Sequence, residues 1–85
     1  MHFQERTEGE YRIYAGALEA PGGEGYIAAV VVNRQRGGDL RPREAFRDEK
    51  LAGGHRWQTA EAALLYAIAR GREIVRTEAR VLLAA

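Results

Sequence analysis

The chain has 85 residues, 13 basic and 12 acidic, for a net charge of +1. That length is one small domain, and the near-neutral balance does not announce a polyanionic partner or an anionic membrane. Without cysteine there is no disulfide framework and no thiolate zinc site, and without serine the commonest acyl-transfer nucleophile is missing.

Residues 1–8 are short and polar, with Met1 and Phe3 as their only anchors. They lack the apolar stretch of a signal peptide, and no run approaches the ~20 apolar residues of a membrane span, so a cytoplasmic location is expected. Residues 10–18 read as a strand, with Tyr11, Ile13, Ala15 and Ala17 on one face and Tyr14 and Leu18 on the other. Pro21-Gly22-Gly23-Glu24-Gly25 is a turn, because proline presets φ and glycine supplies the positive φ that follows. Residues 26–32 are the most strand-like segment, rich in β-branched side chains, and the short turn makes an antiparallel hairpin.

A second loop over residues 33–39 leads to a third strand within residues 43–51, with Phe46 as its main anchor. Pro42 limits how early that strand begins. Gly53-Gly54 breaks the chain, and Thr59 opens a helix as N-cap, with Glu61 complementing the dipole in the first turn. Ala60, Ala63, Leu64, Ala67, Ile68, Gly71, Ile74 and Val75 form a stripe at helical spacing. Gly71 either lets the helix approach the sheet closely or ends it, and the continuing stripe favours the first. Residues 77–85 extend the helix or fray.

The expected fold is therefore α+β, one domain over 1–85: a three-stranded antiparallel sheet with one long C-terminal helix packed on one face. Residues 1–8 and 77–85 are read as flexible or oligomer-forming tails.

The junction Trp57-Gln58-Thr59-Ala60-Glu61-Ala62-Ala63 places an aromatic, a hydroxyl residue, a glutamate and paired alanines after the last strand. It resembles the DNA-binding domains of plant ethylene-response factors and the arm-binding domains of phage integrases, and more nearly many small bacterial sheet-plus-helix domains of uncharacterised role. The resemblance covers roughly residues 25–70 and is strongest over 57–67. It implies one helix laid across a three-stranded antiparallel sheet. In the DNA-binding families the open sheet face carries arginines and tryptophans. Here the matching strand, 26–32, has no basic residue before Arg34, so the resemblance carries over the fold and no binding residue.

Chemistry-bearing constellations are few. His2 and His55 are far apart, and no second ligand stands near either. The glycines of 22–25 contain an acid and join two strands, unlike a phosphate-binding loop. Glu8 with Glu10, and Asp48 with Glu49, carry no sign of the burial that would split their pKa values. No catalytic residue, metal ligand or cofactor is expected, and the chain is read as non-enzymatic. Arg34, Arg36, Arg41, Arg43 and Arg47, against Asp39 and Glu44, form the one charge concentration. They read either as a solvated loop or as contacts for phosphates, giving weak, salt-sensitive nucleic-acid binding. Trp57 reads as a packing residue at the helix start or as a stacking platform.

Strand 26–32 is apolar at consecutive positions, although one helix covers only one sheet face. A core of this size gains from a partner. A homodimer, or binding of another protein, is expected through Ala28, Val30 and Val32, or else their alternates Ile27, Ala29 and Val31. Leu65 and Tyr66 on the helix are the second interface candidates. The alternative is that the chain's own ends cover these groups.

Overall fold

The computed structural model describes residues 2–35 and 43–84, the last three by their backbone alone. Four antiparallel strands lie in chain order: β1 (His2–Glu8), β2 (Tyr11–Glu19), β3 (Tyr26–Arg34) and β4 (Arg43–Asp48). A one-turn segment, α1 (Leu51–Gly54), leads to the two-residue strand β5 (Arg56–Trp57), which pairs with the start of β3. One long helix, α2 (Ala60–Ala84), crosses the sheet. The α+β class is as expected, but the sheet holds more than three strands.

The additional strand is β1. A two-residue connection, Gly9-Glu10, joins it to β2, with Gly9 at φ 58° where a hairpin turn of this kind needs a positive φ. The expected third strand is shorter than residues 43–51, and it is continued by β5 along the same edge of β3. Between them Ala52 and Gly53 both take left-handed backbone, which carries the chain out of the ladder and back. Leu51 turns inward there and is buried.

The core lies between α2 and one sheet face. Ile13, Ala15 and Ala17 of β2, and Ala28, Val30 and Val32 of β3, meet Ala63, Leu64, Ala67 and Ile68 of the helix. Thr59 caps α2 by accepting the Ala62 N–H at 3.1 Å. The helix runs through Gly71 and continues to Ala84. Gly71 is buried, and a Cβ built there would stand 2.6 Å from Ile13 Cγ2, so the glycine sets a close approach of helix to sheet.

Tyr11 is buried near the end of this core, and its hydroxyl donates to Glu78 at 3.2 Å. Burial, and then the Glu78 carboxylate, push the phenol above its ordinary value. A raised folded pKa means that the unfolded chain loses this proton first as pH rises. The contribution is complete below about pH 10 and falls away from there up to the folded value. Tyr11→Phe is expected to lower stability by about 1 kcal/mol at neutral pH and to flatten the decline above pH ~10. Urea midpoints at pH 7, 9, 10 and 11 check this. An unchanged alkaline slope in the variant would place the transition elsewhere.

Candidate interaction surface

The face of the sheet opposite α2 is uncovered by any described residue. Cross-strand register arranges its side chains in four rows. At the β1–β2 turn end lie Thr7, Arg12, Asn33 and Glu44. The next row is Glu5, Tyr14, Val31 and Arg47, followed by Phe3, Gly16 and Ala29. At the far end stand Leu18, Ile27 and Arg56. The surface is thus graded along the strands, polar at one end and apolar through its middle and far end.

A shallow groove of about 510 Å³ lies on this face, lined by Phe3, Tyr14, Gly16, Leu18, Ala29 and Val31 among others. Phe3 is 62% exposed and its ring lies over Gly16, where the missing side chain leaves room: a Cβ there would stand 3.7 Å from Phe3 Cδ1. The same ring stacks near-parallel on Tyr14, with centroids 6.4 Å apart. Tyr14, Leu18, Ile27, Ala29 and Val31 are half-buried by their neighbours alone.

This corrects the assignment of Ala28, Val30 and Val32 to an interface. All three are at most 1% exposed, because their side of β3 is the one that α2 covers. Their alternates Ile27, Ala29 and Val31 occupy the open face. Leu65 and Tyr66, by contrast, do point outward, 64% and 38% exposed. Tyr66 is partly occupied by its own fold, since the Trp57 ring lies against it at 4.7 Å and His55 meets Trp57 edge-on at 4.5 Å. Trp57 is half-buried beside the helix start, as a packing residue would be, with His55 and Tyr66 as its aromatic neighbours. Phe46 lies under the guanidinium of Arg70, 5.5 Å from its ring centre.

The arginines do not gather on one surface. Arg34 and Arg43 are cross-strand partners on the helix side of the sheet, whereas Arg47 is on the open face. Arg36 and Arg41 lie outside the described residues. Carboxylates stand close to three of the sheet arginines: Glu10 to Arg34 at 3.4 Å, Glu5 to Arg12 at 3.0 Å, and Glu44 and Glu49 to Arg47 at 2.9 and 2.8 Å. Hydrogen bonds to Glu44 and then Glu49 hold the Arg47 guanidinium further above its ordinary range. Such pairing lowers the positive field that phosphates would meet.

A second cleft, about 470 Å³, lies between the β1–β2 turn and α2, lined by Glu8, Glu10, Tyr11 and Arg34 among others. Among the described residues no group of three or more His, Asp or Glu is placed to hold a metal ion, and no helix is long and apolar enough to cross a membrane.

Both outer strands are rich in charged side chains: Glu5, Arg6 and Glu8 on β1, and Arg43, Glu44, Arg47 and Asp48 on β4. Charged edges of this kind resist strand addition by another chain. The apolar surface left by the fold is therefore a face and not an edge. Comparison with protein-family models, with curated proteins and with solved structures found no match.

Proposed function

We propose that this chain is a small non-enzymatic interaction domain that self-associates through the sheet face opposite α2. The observation that carries the reading is the contiguous set Phe3, Tyr14, Leu18, Ile27, Ala29 and Val31, drawn from three adjacent strands and left open by the one helix. Four strands spaced ~4.8 Å, with up to nine residues each at ~3.3 Å, give a footprint of roughly 600 Å² in projection. Side-chain relief brings this near the ~800 Å² per partner of a standard interface. A second copy is the occupant that the edges favour, because charged edges leave face-to-face packing as the accessible mode for two sheets.

Sedimentation equilibrium at 1–100 μM tests this together with Val31→Arg. On a free monomer surface that substitution is tolerated within about 0.5 kcal/mol. At the centre of an interface it buries an unpaired charge. The expected result is a concentration-dependent dimer for the parent chain and a folded monomer for the variant, with Leu18→Lys giving the same outcome. A parent chain that stays monomeric throughout, or that binds a short duplex at 200 mM salt while monomeric, would overturn the reading.

A further inference from the structure

The rows of the open face also say how a second copy would sit. Two sheets meeting face to face through a two-fold axis have two simple choices of axis in the plane between them. An axis along the strands keeps each row at its own level and lays β2 over the partner's β3. An axis across the strands reverses the levels and lays each strand over its own counterpart.

The gradient along the strands separates these choices. Across the strands, the polar end would descend on the apolar end, so that Arg12 would face Leu18 and Asn33 would face Ile27. Asn33 would then be covered without a partner, and the Arg12–Glu5 ion pair would lose water against an apolar side chain, a loss in each half of the symmetric contact. Along the strands, Leu18 faces Ile27, Tyr14 faces Val31, and Gly16 faces Ala29. At the polar end Arg12 faces Asn33, a donor opposite a carbonyl acceptor. On the outer columns Glu5 faces Arg47, and Thr7 faces Glu44. No row then sets like charges against each other.

From this match we infer that the protein forms a two-fold dimer whose axis runs parallel to its strands, with β2 of each copy on β3 of the other and the two apolar ends together. The inference rests on the self-association proposed above and adds its geometry. Both copies' Pro21–Gly25 turns then lie at the same end of the assembly, close to the axis. The Gly9-Glu10 turns lie together at the opposite end.

The chain has no cysteine, so single introduced thiols report position without background. Glu24 is exposed and lies in the β2–β3 turn, outside the open face. Glu24→Cys carrying a spin label gives the distance between the two copies by pulsed dipolar spectroscopy. With sheets ~10 Å apart and an axis along the strands, the labels are expected within ~25 Å of each other. With the axis across the strands, nine-residue strands of ~30 Å put them beyond ~30 Å. Glu10→Cys, at the other end, repeats the measurement should the first label disturb assembly, and a short distance is expected there as well. A dimer that Val31→Arg abolishes but whose labels lie beyond ~30 Å at both ends would overturn the geometry and leave self-association standing. A parent chain that is monomeric would overturn both.

Discussion

Replacing Gly71 by alanine is expected to destabilise the protein, against the ordinary preference of helices. In an exposed helix interior the substitution gains about 1 kcal/mol, because alanine loses less backbone freedom on folding. Here the new methyl would stand 2.6 Å from Ile13 Cγ2 and 3.3 Å from both Cγ1 and Cδ1. The Cγ2 atom branches directly from the Cβ of a fully buried strand residue, so it cannot swing away as the end of a long side chain would. The helix must lift, and the contacts of Ala67 and Ile68 lift with it. Overpacking of this kind costs about 1–3 kcal/mol, which exceeds the helical gain over most of that range. A net loss of up to about 2 kcal/mol is expected, equivalent to as much as roughly 15 °C in Tm for a domain of this size. Thermal melts should be compared at one protein concentration, because any association of the folded state would add to apparent stability. A Tm at or above the parent's would show that helix and sheet have slack at this point.

The same close approach explains which parts of the fold were legible in the sequence. The helical stripe from Ala60 to Val75 is long enough for its period to be unambiguous, and Thr59 supplied the chemistry of its start. The side of β2 facing the helix was also readable, since Ile13, Ala15 and Ala17 alternate with Arg12 and Tyr14. The side of β3 was not. It is apolar on both faces, so its orientation depends wholly on its register with β2, and a slip of one residue exchanges the faces. The register that occurs, Ala17 opposite Ala28, is fixed by the loop. Positive φ at Gly22 and Gly23, with the Ala20 N–H donating to the Gly25 carbonyl at 2.9 Å, sets the residue count of the turn. Composition marked that loop as a turn without giving its length to one residue. The sequence therefore places Ala28, Val30 and Val32 first as interface candidates and leaves Ile27, Ala29 and Val31 as their alternates, the order that the register reverses.

Strand β1 is illegible in the sequence for a different reason. It is an edge strand that α2 only skirts, so apart from Gln4 and Glu8 its side chains are exposed on both faces and no hydrophobic alternation develops. The available signal was the glycine at the first position of a two-residue connection, Glu8-Gly9-Glu10-Tyr11, directly before a clear strand. Phe3 then had a place beside Tyr14 on the open face instead of in a tail. The outward Leu65 and Tyr66 were legible because a 3.6-residue period fixes both sides of a helix at once. Tyr66 engages Trp57, so the unpartnered part of that patch is smaller than the sequence implied.

Ile13→Ala is expected to be the most damaging of these single substitutions, and in combination with Gly71→Ala the less damaging for it. Ile13 is fully buried in the strand that runs beneath α2, so its truncation removes three heavy atoms and leaves a cavity. Losses of about 2–5 kcal/mol are usual for such changes. An 85-residue domain holds roughly 4–13 kcal/mol in all, so the variant stands near the threshold of folding. The three atoms removed, Cγ2, Cγ1 and Cδ1, are those the Gly71→Ala methyl would strike. Alanine at 71 therefore fills part of the cavity that alanine at 13 creates, and regains its helical preference there. The double variant should be more stable than the sum of the two single losses by about 1–2 kcal/mol, within the range found for residues in contact. Urea unfolding of the four proteins of this cycle, at one concentration and pH, measures the difference. Strict additivity would mean that helix and sheet relax independently at this crossing, and that Gly71 is needed for something other than the room it gives Ile13.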